Sequence, residues 1–261
     1  MMAAMRLHVH EFGPGAGRTV VALHGVTGSG LQFRRLAPRL PDFRLVAPDL
    51  RGHGDSGMDP PWDISAHLRD IRETLDGAGI ARAPFIGFSF GGRLALELAA
   101  SERSRVERLV LLDPALHMGA DRARTRAEEL LADTSYASVA DAIEERVASG
   151  WAPYAPREHW EQWAERLVEG PDGRWRLPGS RAAAIAIHSE MATPPPLFER
   201  CRVPTLLIVG ALSDLVPQRL IDRYEHDLGD LLTVKLVTAR HQVIGDAADE
   251  VAAAIGAFLA R

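Results

Sequence analysis

Residues 83–100 read APFIGFSFGGRLALELAA, and this stretch decides the fold. Residues 83–87 are short and apolar, as a buried strand requires, and 91–100 read as a helix packed closely on a sheet. Between them Gly87-Phe88-Ser89-Phe90-Gly91 fits G-x-S-x-G, in which a serine sits on a tight strand-to-helix turn. Such a turn strains the serine backbone, so the residues two positions to either side must be small. Gly87 and Gly91 meet that demand, and Gly92 lets the helix approach further. The pattern arises easily by chance and gains its meaning from partners elsewhere in the chain.

Outward from this turn, short apolar runs alternate with helical patterns, the signature of a mostly parallel sheet with helices on both faces. Residues 7–12 alternate with period two and suit an edge strand; 19–23 are continuously apolar and suit a central one. Strands are also expected at 43–48, 106–112, 203–209 and 232–237, with helices at 64–75, 218–228 and 246–259. From 117 to 196 strand signals vanish. That segment is helical and polar and holds four of the five tryptophans, Trp151, Trp160, Trp163 and Trp175. Nearly 80 residues exceed an ordinary crossover, so an inserted helical cap is expected over the sheet's active edge. The core domain would then comprise 1–116 and 197–261.

A serine hydroxyl needs an adjacent base, itself oriented by a carboxylate. With a nucleophile on a strand-to-helix elbow, the partners follow in the order acid, then histidine. Asp214 lies just beyond the strand at 203–209, and His241 just beyond the last strand. Both would project from the carboxyl ends of parallel strands, where ligands bind in open α/β sheets. Asp113 also ends a strand and is the alternative acid; its other reading is a turn cap before Pro114. Backbone donors for an oxyanion are expected from Phe90, directly after the serine, and from Val26 in the loop His24-Gly25-Val26-Thr27-Gly28-Ser29-Gly30.

These residues resemble the α/β-hydrolase superfamily over essentially the whole length. His24-Gly25 and the glycine-rich loop match its oxyanion motif, and Asp49-Leu50-Arg51-Gly52-His53-Gly54-Asp55-Ser56 matches its D-x-R-G-x-G-x-S segment. The resemblance implies an eight-stranded-type, mostly parallel sheet and is nearest to serine esterases and lipases with a helical cap. It implies an acyl-enzyme on Ser89 formed from a small to medium carboxylic ester, with no cofactor. The same groups also suit an enol-lactone or carbon–carbon bond hydrolase, a cofactor-free perhydrolase, or a small-molecule receptor that keeps the fold. Serine at the elbow argues against the related dehalogenases and epoxide hydrolases, which need aspartate there. Arg240 stands where the family often has glycine. His24 and His53 read as hydrogen-bonding braces, and Asp49 and Asp55 as loop-fixing carboxylates. Arg34, Arg35 and Arg93 are candidates for binding a substrate carboxylate.

The bulk numbers are ordinary for a globular protein. At 261 residues, 46% apolar and 25% charged, the chain can bury a large α/β core. A net charge of −5 gives no reason to expect nucleic acid or an anionic membrane as partner. The single Cys201 excludes an internal disulfide and reads as a small buried residue, and no metal-ligand spacing joins the ten histidines. No stretch approaches the roughly 18 uninterrupted apolar residues of a membrane helix, and residues 1–6 are too short and too weakly apolar before His8 for a leader peptide. Cytoplasm is the expected compartment; composition does not set the oligomeric state.

Overall fold

A computed structural model describes residues 5–132 and 134–261. The leader-peptide expectation at residues 1–6 falls mostly on residues 1–4, outside the described ones. The strands are β1 (Val9–Phe12), β2 (Arg18–Leu23), β3 (Phe43–Pro48), β4 (Ala83–Phe88), β5 (Val106–Leu112), β6 (Val168–Glu169), β7 (Trp175–Arg176), β8 (Thr205–Gly210) and β9 (Leu232–Val237). The helices are α1 (Ile64–Gly77), α2 (Phe90–Ser101), α3 (Ala120–Glu129), α4 (Val139–Ala148), α5 (Arg157–Ala164), α6 (Arg181–Met191), α7 (Gln218–Leu228), α8 (Val243–Asp246) and α9 (Ala248–Leu259).

The main sheet runs β1-β3-β2-β4-β5-β8-β9, with β1 antiparallel to β3 and all other neighbours parallel. Its central strands are buried on both faces, and the period-two alternation sorts their side chains. Val21, Leu23, Phe85, Leu109 and Leu111 enter the core beneath α1, α2 and α7. Val20, Ala22, Ile86, Val110 and Leu112 enter the opposite core against α9. With helices on both sides, the central parallel strands are shielded from water, and β4 and β8 are buried along their whole length.

The expected eight strands are seven in this sheet among the described residues. The chain before β1 spends its amides elsewhere: Met5 N donates to Asp70 at 2.7 Å, Leu7 N to Thr74 Oγ1 at 2.9 Å and His8 N to Ser56 Oγ at 2.9 Å. Backbone donors bound to α1 and its approach loop cannot also build another sheet edge. Asp70 is a buried anchor for that region, also accepting from Arg51 Nε and Nη2 at 2.6 and 2.7 Å.

Two further differences are local. The C-terminal helix expected at 246–259 breaks at Ala247 into α8 and α9. The segment 117–196 holds the expected helices α3–α6 but also the antiparallel pair β6–β7, which joins no strand of the main sheet. Tyr136 and Trp175 extend that pairing by an isolated bridge. Cys201 is buried as expected. No helix among the described residues is long and apolar enough to cross a membrane.

Candidate active site

The turn after β4 places Ser89 at φ 53°, a left-handed conformation costly for a non-glycine residue. The flanking glycines make it possible. A methyl group on Gly91 would strike the Leu23 carbonyl, and one on Gly87 would lie 2.6 Å from Gly92 Cα. Ser89 N donates to Leu112 O at 3.1 Å, and Ser89 O accepts from Gly92, Arg93 and Ala115. Backbone bonds to β5, to the loop beyond it and to α2 therefore fix the serine from three sides.

Ser89 Oγ lies 3.0 Å from His241 Nε2, and His241 Nδ1 lies 2.6 Å from Asp113 Oδ2. An ionised carboxylate only accepts hydrogen bonds, so Nδ1 carries the imidazole proton and Nε2 presents a lone pair to the serine hydroxyl. Asp113 is fully buried and also accepts from Gly210 N at 3.1 Å and Ser213 Oγ at 2.7 Å. Its own φ is 39°. Phe88 stacks on the other side of the histidine, with ring centroids 4.8 Å apart.

The acid expected at Asp214 is thereby corrected. Its side chain is 86% exposed and pairs with Arg122 Nη2 at 2.7 Å, a contact that holds its carboxyl below the ordinary range. The loop after β8 turns Ser213 inward to Asp113 and Asp214 outward to α3. Asp113, the alternative acid of the sequence, ends β5, and Ser213 is a further member of the site for which chain spacing carries no signal.

Val26 lines the same cavity as Ser89, and Phe90 is the first residue of α2, where amides have no intrahelical acceptor. Thr27, next to Val26, has φ 59°, so strained backbone occurs on the loop, the serine and the acid together. The Phe90 ring points away from the cavity, into the core against His67.

Beneath this loop His24 is a brace, as expected. Its Nδ1 donates to Gly25 O at 2.7 Å, and its Nε2 accepts from Leu50 N at 2.8 Å. His53 Nδ1 meets Arg51 O at 3.0 Å. The expectation that no metal-ligand group forms needs qualifying. His8, His10, Asp49 and Asp55 bring one ligand atom each within 4.8 Å of one another. Asp49 already accepts from Gly30 N, Asp55 N and His10 Nε2 there, so its carboxylate fixes the loop as read.

Burial drives the imidazoles of His24, His53 and His67 down, to about 3, about 4 and about 3. Unfolded, each would titrate near 6.5. Below that pH the unfolded chain binds protons that the native protein refuses. Their contribution is thus complete above about pH 6.5 and falls as pH drops toward 4, each by about 1.4 kcal/mol per pH unit. Urea unfolding at pH 7, 5.5 and 4.5 should show stability lost by several kcal/mol across this window; a flat profile would contradict neutral, buried histidines.

Above Ser89 opens a cavity of about 940 Å³, lined from the sheet side by Val26, Phe88 and His241 and from the 117–196 segment by Trp151, Trp160 and Trp163. Trp175 instead packs with Tyr136, Ala142 and Leu167 in a separate small core. Of the three candidate arginines, Arg34 and Arg35 line the cavity. Arg93 does not; it is buried against the carbonyls of Leu116, Thr193 and Pro194 and pairs with Glu97. Arg240 lies on the cavity's exposed margin, its N bound to Asp246 at 2.9 Å.

The α/β-hydrolase fold family model matches residues 18–153. The chain belongs to this family. It is 38% identical over 188 residues to the lipase LipV of Mycobacterium tuberculosis, covering 71% of each chain. It is 32% identical over 229 residues to a putative 2-succinyl-6-hydroxy-2,4-cyclohexadiene-1-carboxylate synthase of Bacillus subtilis, covering 79% of this chain and 77% of that one. The crystal structure of E-2-(acetamidomethylene)succinate hydrolase superposes with a TM-score of 0.87 at 23% identity, over 98% of this chain and 95% of that one. That last likeness is one of fold. This α/β hydrolase thus shares its frame with enzymes of several named activities.

Proposed function

We propose that this α/β hydrolase cleaves small to medium carboxylic esters through an acyl-enzyme on Ser89. The observation that carries the proposal is the continuous Ser89–His241–Asp113 hydrogen-bond chain at the floor of the cavity. His241 Nε2 takes the Ser89 proton as Oγ attacks the ester carbonyl. Asp113 holds the imidazole tautomer and offsets the charge that develops on it. The Val26 and Phe90 amides receive the oxyanion. Collapse of the tetrahedral adduct expels the alcohol, protonated from Nε2, and water then repeats the sequence on the acyl-enzyme. The likeness to a lipase at 38% identity supports ester chemistry. Residues 117–196 act as a cap on the core formed by 1–116 and 197–261, and the cap aromatics limit acyl length.

Release of p-nitrophenol from esters of two, four, eight and twelve carbons tests this reading. Multiple turnover is expected, with the four- or eight-carbon ester preferred over the twelve. No turnover on any of the four would overturn it.

A further inference from the structure

The chain carries a net charge of −5, yet among the described residues nine arginines and two carboxylates line the cavity above Ser89. Four of those arginines are neutralised by ion pairs: Arg34 with Glu165, Arg122 with Asp214, Arg126 with Glu129 and Arg176 with Asp172. Three half-buried ones, Arg35, Arg146 and Arg166, have no carboxylate within ion-pair distance among the described residues. Each also holds a buried Nε that lacks a hydrogen-bond partner. Arg35 belongs to the core, whereas Arg146 and Arg166 both come from the 117–196 segment.

Their placement is specific. Arg166 Nη2 donates to Thr27 O at 2.8 Å, which fixes its guanidinium one residue from Val26 on the oxyanion loop. Arg146 lies over the faces of Trp163 and Trp151, at 4.8 and 5.6 Å from the ring centroids. Burial, with a smaller push from the neighbouring Arg146 and against the opposing pull of Asp49, lowers Arg166 to about 10, so it remains a cation at neutral pH. His159, on the same wall, is held neutral: burial, Arg35 and Arg166 together push it to about 4. Partly desolvated cations placed side by side with unused donors are costly unless an anion completes them. A guanidinium with free N–H groups is the side chain best shaped to receive a carboxylate.

We propose that the substrate is an acidic ester, carrying a carboxylate near its scissile carbonyl that pairs with Arg166 and, beside it, Arg146. This rests on the ester-hydrolase reading and narrows its substrate class. The scissile carbonyl sits over Ser89 and between the Val26 and Phe90 amides, and the carboxylate reaches up toward the wall of the cap.

The test is methanol release from the monomethyl esters of succinate, glutarate and adipate, each against its neutral partner, methyl butanoate, pentanoate or hexanoate. For at least one spacing, wild-type kcat/KM should favour the acidic ester by about ten- to a hundredfold, the range of a charge-assisted hydrogen bond. Arg166→Gln should bring that ratio to about one, Arg166→Lys should retain part of it, and Arg146→Gln should lower it if Arg166→Gln fails to fold. A wild-type ratio of one or less at all three spacings overturns the proposal, as does the same ratio in wild type and Arg166→Gln. If no ester is turned over, the ester reading fails separately. Calorimetry of glutarate on Ser89→Ala then decides the anion site: binding lost in the Ser89→Ala/Arg166→Gln double variant supports it, and no binding refutes it.

Discussion

Ser89→Ala should hydrolyse a p-nitrophenyl butyrate ester about 10⁶-fold more slowly than wild type in kcat. The alanine removes the hydroxyl held 3.0 Å from His241 Nε2 and leaves the fold's framework in place. The strained φ of 53° at this position is tolerated by backbone bonds to β5 and α2, none of which uses the side chain. The variant should therefore fold as well as wild type, which circular dichroism and thermal unfolding would verify. The proposed Val26 and Phe90 donors would survive, so a residual rate above water is also expected. Loss of only a few-fold would mean that the ester is attacked by something other than Ser89.

The second large effect separates two aspartates. Asp113→Asn should lower kcat by about 10⁴-fold, because an amide facing His241 Nδ1 no longer fixes the tautomer that frees Nε2. Asp214→Asn should change kcat/KM by less than about threefold, since an exposed ion pair of this kind contributes at most about 1 kcal/mol. The asymmetry follows from burial. Asp113 is fully buried with donors from Gly210, Ser213 and His241, whereas the Asp214 side chain is 86% exposed and held by Arg122. Comparable losses in the two variants would place both carboxylates in the reaction; a loss confined to Asp214→Asn would reverse the assignment.

The choice between these aspartates marks where sequence reading stops. The elbow, its strand and its helix were legible because local sterics dictate them: Gly87, Gly91 and the apolar run before Ser89 answer to neighbours within a few residues. The alternating strands on both faces of the sheet were legible for the same reason. Asp113 and Asp214 both follow strands, however, and what separates them is Arg122, 92 residues from Asp214 in sequence. No local pattern reports such a partner. The β6–β7 pair was missed because two residues per strand are too few to show alternation, and Gly170-Pro171-Asp172-Gly173 reads equally as punctuation between helices. His8, His10, Asp49 and Asp55 looked scattered because the antiparallel pairing of β1 with β3 is what brings them together. In sequence, residues 117–196 show only a helical and polar pattern. The folded arrangement is what places Arg146 and Arg166 on the cavity with no carboxylate in ion-pair distance among the described residues.

One measurement bears most directly on the proposed Ser89–His241–Asp113 chemistry. It is kcat/KM for a p-nitrophenyl butyrate ester, taken side by side on wild type, Ser89→Ala, Asp113→Asn and Asp214→Asn. The expected result is near-wild-type activity in Asp214→Asn and collapse in the other two variants. Turnover that survives Ser89→Ala, or an Asp113→Asn enzyme as active as wild type, would contradict it.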